Sequence, residues 1–247
     1  MIAITRDVSP AIADAELTHL ERTPISFARA AEQHEQYRAL LASLGCTVIS
    51  IPADAAYPDC VFIEDTAVVL DDIAVITRPG AESRRGEVDA IAPVVAKYRP
   101  LARIEAPGTI DGGDVLVLDD RIFVGRSSRT NDEGIDQLRT LTRREVIPVE
   151  LHGALHLKTA ITRVASDTLL INREWLDLAP FAGWKFIDVD ETEPFAANAV
   201  LVGDIVIFPT AFAKTRAKLA HLDVRTVDAD ELAKAEGGVT CCSLLLR

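Results

Sequence analysis

The segment DVLVLDDRIFVG (114–125) is an apolar run, an acidic pair at Asp119-Asp120 and a second apolar run, the pattern of two strands joined by a tight turn. It recurs three times in full. VFIEDTAVVLDDIAVIT (61–77), LHLKTAITRVASDTLLIN (155–172) and NAVLVGDIVIF (198–208) follow the same plan, with turns at Asp71-Asp72, Ser166-Asp167 and Gly203-Asp204. Aligning the first strands puts Val115, Leu157, Ala199 and Cys241 at equal intervals of 42 residues (157 − 115, 199 − 157, 241 − 199), with Val61 a longer 54 before Val115 (115 − 61). Repetition of this kind marks an array of one supersecondary unit.

Helical periodicity follows the first two hairpins at 84–98 and 131–143, the second opening on Asn131 as a capping residue. Further apolar runs come next: LARIE (101–105), EVIPVEL (145–151), KFIDV (185–189) and DVRTV (223–227). Each unit therefore reads strand, strand, helix, strand. The fifth copy, GGVTCCSLLLR (237–247), supplies a first strand only, and IAITR (2–6) is the strand that would complete it, closing a ring with no exposed edge. The expectation is one α/β domain over 1–247, a five-bladed β/α propeller of ββαβ modules with helices outside. No Pro-, Gly- or Ser-rich linker divides it.

The 247 residues carry 26 Lys and Arg against 38 Asp and Glu, a net charge of −12, and 49% are hydrophobic. That composition supports a sizeable core and argues against general disorder. The acidic balance disfavours nucleic acid and anionic membrane surfaces, and no local basic patch offsets it. With no 18-residue apolar run, and with Arg6 and Asp7 where a signal peptide would be apolar, the chain reads as soluble and cytoplasmic. Four cysteines, Cys46, Cys60, Cys241 and Cys242, are read as reduced thiols.

The chemically reactive types gather at the start of each first strand: Asp59, Glu64 and Asp65 in one copy, Asp111 and Asp114 in the next, then His156, then Cys241. Taken singly each has a bland reading: a Cys in an apolar strand as a buried hydrophobe, IDGGD (110–114) as a flexible turn, IED (63–65) as a solvated strand edge. Their shared register changes this, because a five-fold ring brings equivalent positions together at its axis. A thiol, an imidazole and a carboxylate meeting there form a nucleophile, a proton shuttle and an orienting group. Strand alternation would turn Cys242 the other way, into the core. Cys, His and Asp are also zinc ligands, but no CxxC, HxxxH or HExxH spacing is present, so zinc at Cys241 and His156 is expected only as an adventitious inhibitor. No GxGxxG or GxxxxGK[ST] string supports nucleotide use.

The strings PDCVFIEDTAVV (58–69), ITRPGAESRRGEV (76–88), TIDGGDVL (109–116), VGRSSRTN (124–131), LHLKTA (155–160) and GGVTCCS (237–243) together resemble the dimethylarginine dimethylaminohydrolase family, from about residue 20 to the C-terminus. The resemblance implies the pentein fold and hydrolysis of a dimethylated guanidinium to citrulline and dimethylamine, without cofactor or metal. It further implies Cys241 as nucleophile, His156 as general acid and base, and Asp111 as the residue orienting His156. Asp59, Glu64 and Asp65 would grip the guanidinium, Arg84 and Arg129 would hold the α-carboxylate, and Leu20, in the lid LTHL (17–20), and Ala235 would take the α-amine through main-chain carbonyls. The partner implied is a small zwitterionic arginine derivative, and a homodimer is an expectation from the resemblance alone.

Glu236 departs from the pattern, standing where relatives can carry Asp, and the extra methylene would shift that contact. Arginine deiminase shares the fold, but its chains are much longer; a hydrolase of arginine or another substituted guanidine is the nearer alternative. A non-catalytic pentein scaffold, like the ribosome anti-association factor, would be expected to lack the Cys, His and acid set. A zinc-dependent binding role is the last alternative.

Overall fold

The computed structural model describes residues 1–247, whose strands form five three-stranded sheets. The chain opens with β1 (Ile2–Arg6), α1 (Phe27–Ser43) and β2 (Thr47–Ile51). The first blade holds β3 (Ala67–Val69), β4 (Ala74–Ile76), α2 (Val88–Val95) and β5 (Leu101–Arg103). The second holds β6 (Val115–Leu118), β7 (Arg121–Arg126), α3 (Asp132–Thr142) and β8 (Glu145–Glu150). In the third are a single turn α4 (Leu157–Ala160), β9 (Ile161–Ala165), β10 (Thr168–Ile171) and β11 (Lys185–Asp188). The fourth has β12 (Val200–Val202), β13 (Ile205–Pro209), α5 (Ala213–Lys218) and β14 (Asp223–Val227), and β15 (Leu244–Leu246) ends the chain.

In these four blades the first strand runs antiparallel to the second and the third parallel to it. The same order recurs in β15, β1 and β2: Ile2 lies opposite Leu246 in an antiparallel pair, and β2 joins β1 in parallel. The ring is therefore closed by the two chain ends, as the repeat arithmetic predicts. Helix α1, between β1 and β2, is the helix of this fifth module. Asn131 caps α3, its side chain accepting from the Gly134 amide.

The core is divided into five parts, each between neighbouring blades. On β4, Ala74 and Ile76 pack toward the fifth blade with Ile4 and Leu244, while Val75 packs toward the second with Val115 and Ile122. On β7, Ile122 and Val124 face the first blade and Phe123 faces the third. This period-2 division buries both faces of the strands, which is why they read as nearly continuous apolar runs.

Three expectations are corrected. The first strands start later than the apolar runs suggest, because Ile63–Thr66, Gly112–Asp114, Leu157–Ala160 and Thr240–Cys242 are single helical turns. These segments converge on the axis, where no neighbouring strand runs alongside, and their polar groups are satisfied within the turn or by side chains. The Thr66 hydroxyl donates to the Ile63 carbonyl (2.7 Å), and Asp114 accepts from the Leu157 amide (3.0 Å). Secondly, the third blade has only a 3-10 turn, Ala179–Phe181, between β10 and β11, and the stacking of Phe181 on Phe123 at 4.6 Å covers the sheet there in place of a helix. Thirdly, Cys242 is buried as expected, but not through strand alternation: in a 3-10 turn successive side chains point about 120° apart.

Candidate active site

His156 caps α4 at the ring axis, where its Nε2 lies 3.0 Å from Asp111 Oδ2 and its Nδ1 lies 3.9 Å from Asp65 Oδ1. Both acids are buried. Burial alone would lower the histidine pKa, but the Asp65 charge, the Asp111 hydrogen bond and the nearby Asp114 outweigh it and raise it to about 9. The ring is thus an imidazolium at neutral pH, with Nε2 committed to Asp111 and Nδ1 left for chemistry. Gly113 makes this packing feasible: a Cβ there would sit 2.7 Å from Nδ1 and 2.9 Å from Asp65 Oδ1. The IDGGD glycines serve close approach, since neither Gly112 nor Gly113 has a positive φ.

Cys241 is half-buried in the Thr240–Cys242 turn, its sulfur accepting from the Gly238 amide at 3.3 Å. Desolvation first, then the charges of Glu64 and Asp65, push its thiol up to about 12. The turn is braced by Asn198, which accepts from the Thr240 amide (3.0 Å) and donates to the Thr240 hydroxyl (2.9 Å) and the Lys158 carbonyl (3.2 Å). Asn198 is the fourth blade's contribution and was missed in the sequence, although it stands one residue before Ala199 as His156 stands before Leu157 and Thr240 before Cys241.

Cys241, His156, Asp59, Asp65, Arg84, Arg129 and Ala235 line one cavity of about 20 Å³, together with residues the sequence did not single out, among them Glu16 and Phe62. Asp59 accepts from the Glu16 amide (3.1 Å), and burial, opposed by Arg84, raises it to about 6. Arg84 is not a free cation at the far end. Its guanidinium is clamped by Asp65 (2.6 Å), by both oxygens of Glu87 (3.0 and 2.9 Å) and by the Phe62 carbonyl (3.0 Å). Burial pushes Asp65 upward, but the His156 and Arg84 charges prevail and hold it at about 2. Glu64 also departs from expectation. It turns away from this cavity to Lys158 (2.5 Å) and accepts from the Thr240 hydroxyl (2.8 Å).

The family model described as "N,N dimethylarginine dimethylhydrolase, eukaryotic" matches residues 14–179. An N(G),N(G)-dimethylarginine dimethylaminohydrolase of Pseudomonas aeruginosa is 38% identical over 225 residues, covering 88% of this chain and 89% of that protein. This chain belongs to the dimethylarginine dimethylaminohydrolase family. The Streptomyces coelicolor member is 39% identical over 253 residues, covering 99% and 96% of the two chains. A solved cysteine-to-serine variant of the Pseudomonas aeruginosa protein, in complex with citrulline, superposes with a TM-score of 0.93 at 35% identity over 98% of this chain and 97% of that one. The pentein fold and membership of a hydrolase family acting on a non-peptide C–N bond follow.

In this dimethylaminohydrolase-family chain the lid is drawn down onto the cavity. Glu236, at a positive φ of 60°, accepts from the amides of Thr18 (3.0 Å), His19 (2.6 Å) and Leu20 (2.6 Å). Its extra methylene thus reaches the lid backbone. Arg129 donates to the Thr18 hydroxyl (2.9 Å). Leu20 is exposed and does not line the cavity. Asp65, Asp111 and His156 each bring a ligand atom within 4.8 Å of the others, a spacing open to a metal ion. Their carboxylate oxygens are already engaged by Gly113, Arg84, Gly80 and His156, so the cluster fits a hydrogen-bonded acid–base pair better. No helix is long and apolar enough to cross a membrane.

Proposed function

We propose that the chain hydrolyses N(G),N(G)-dimethyl-L-arginine to L-citrulline and dimethylamine through a covalent adduct on Cys241. One observation carries this reading: a thiol and an imidazolium line the same acid-walled cavity. Asp59 and Asp65 hold the guanidinium, whose charge near the sulfur favours the thiolate that burial first, then Glu64 and Asp65, otherwise suppress. The thiol proton leaves to solvent. Sulfur adds to the guanidinium carbon, the His156 Nδ1 proton passes to the dimethylated nitrogen, and the C–N bond breaks to release dimethylamine and leave a thiouronium. Neutral His156 then takes a proton from water as the oxygen adds to the same carbon. The C–S bond breaks, citrulline forms with the loss of one proton, and the thiolate is reprotonated.

At the amino-acid end, Arg129 and Glu236 are cavity-lining charged groups that hydrogen-bond the lid, and they suit the α-carboxylate and α-ammonium. Arg84 acts by holding Asp65 ionised. The net charge of −12 supports a cationic or zwitterionic small molecule over nucleic acid, and four free cysteines suit the cytoplasm. Light scattering in solution tests the homodimer.

Incubation with asymmetric and symmetric dimethylarginine, monomethylarginine, arginine and agmatine, with citrulline and amine measured, tests the reading. Citrulline and dimethylamine from the asymmetric isomer are expected. Absence of turnover on all five removes the hydrolase assignment.

A further inference from the structure

A second cavity, of about 500 Å³, runs along the ring axis on the other side of the catalytic cluster. Residues from the inner strand of every blade line it, Val69, Val117, Thr162, Leu201 and Leu245 among them. Its inner end is formed by Glu64, Lys158, Thr240 and Gly112, each next to or within two residues of a member of the catalytic cluster: Asp65, His156, Cys241, Asp111 and Gly113. The partition is thin. The Thr240 hydroxyl lines the channel, lies 3.9 Å from the Cys241 sulfur and donates to Glu64, which is paired with Lys158.

The two sides of the reacting carbon are closed differently. On the lid side, three amide hydrogen bonds to Glu236 and one contact from Arg129 hold the cover down over a cavity of about 20 Å³. Once the thiouronium has formed, its amino-acid portion fills that side. On the axial side the Glu64–Lys158 pair, with Thr240 and Gly112, separates the site from a wide channel.

We infer that the axial channel is the path by which the leaving amine departs and water takes its place, with the Glu64–Lys158 pair as its inner gate. This rests on the covalent reading above. The chemistry is unchanged by the path: the C–N bond has broken, the amine has taken its proton from His156, and one water crosses inward to be deprotonated by the same ring. A small alkylamine suits the route, since the neutral amine can donate its N–H to the Glu64 carboxylate at the gate and its methyl groups meet Val, Leu and Ala walls.

The test narrows the channel far from the site. Val117→Trp and Leu201→Trp place an indole on inner strands of two different blades, and Leu201→Phe is a milder plug that keeps the question answerable if both Trp variants fail to fold. Melting by circular dichroism identifies the folded variants. Rapid quench and mass spectrometry then follow the Cys241 adduct during turnover of asymmetric dimethylarginine. A folded plug is expected to lower kcat at least tenfold and to raise the fraction of Cys241 held as adduct, while iodoacetamide labels Cys241 in the ligand-free protein within twofold of the wild-type rate. A folded plug whose kcat stays within twofold of wild type overturns the channel assignment. Failure of the wild-type protein to form any Cys241 adduct is a distinct result, and it removes the covalent reading instead.

Discussion

Asn198 grips Thr240 at two points, accepting from its amide at 3.0 Å and donating to its hydroxyl at 2.9 Å. The same carboxamide reaches the Lys158 carbonyl, so one side chain couples the turn that carries Cys241 to the turn that His156 caps. Asn198→Ala leaves the Thr240 amide without its partner in a buried site, a loss of about 1–3 kcal/mol. The expected result is a ten- to hundredfold fall in kcat with a smaller change in KM, measured by citrulline formation. An unchanged kcat would show that the nucleophile's turn holds itself.

The two adjacent thiols should separate cleanly. Cys241→Ser is expected to abolish citrulline formation, whereas Cys242→Ser should retain most of it, since Cys242 is buried and its sulfur already lies 3.4 Å from the Gly238 carbonyl, where a hydroxyl can donate. The reverse outcome would mean that the nucleophile has been misassigned.

His156 should set the alkaline limb of the pH profile. Its pKa of about 9 lies above the ordinary 6.5, so the imidazolium proposed as general acid stays charged through neutrality and is lost as pH rises past 9. Asp111→Asn removes both a negative charge and a charged hydrogen-bond partner, and the limb of kcat/KM should move down from 9. A limb that stays in place would show that another group titrates there.

Asp114 links two functions at once. It accepts from the Leu157 amide (3.0 Å), beside His156, and from Ser127 (2.5 Å) and Thr130 (2.7 Å), which bracket Arg129. Asp114→Asn should therefore raise KM through the Arg129 loop and also shift the His156 limb downward. A change in thermal stability alone, with both kinetic readouts unmoved, would reduce Asp114 to a structural role.

Acid stability should report on His34, which is buried on α1 with its Nε2 unpartnered. Burial, then the Arg38 charge, lower it from 6.5 to about 4. With the folded pKa below the unfolded one, the folded state resists protonation. Stability is therefore full above 6.5 and is lost as pH falls from 6.5 toward 4, by about 2 kcal/mol at pH 5. Comparing urea midpoints at pH 7 and pH 5 for wild type and His34→Leu isolates this contribution, and equal acid losses in the two proteins would exclude it.

The fold was legible because both faces of the inner strands are buried, so the 42-residue spacing survives as apolar runs despite local irregularity. Their exact starts were hidden: LHLKTA reads as strand by composition, but at the axis it has no neighbour to pair with and winds into α4. That Cys241, His156 and the axial acids would meet was legible from register, and Asn198 could have been found the same way had amides been searched for alongside titratable groups. Arg84 and Glu64 were misplaced for a different reason. Glu87, three residues after Arg84, is a local partner that helical spacing could have flagged, while Asp65 and Lys158 are set as partners only by the folded geometry.

The blade that carries Cys241 draws one strand from each end of the chain, β15 antiparallel to β1. A ribosome delivers β1 long before β15. Residues 2–6 can pair with β2 early, but their other edge stays open until 244–246 emerge, so the turn that carries Cys241 cannot be finished before then. Assembly of that blade thus waits for its most distant strand, and a circular permutant that joins β15 to β1 and opens at the exposed Gly183 would make the blade contiguous and move the wait to another blade.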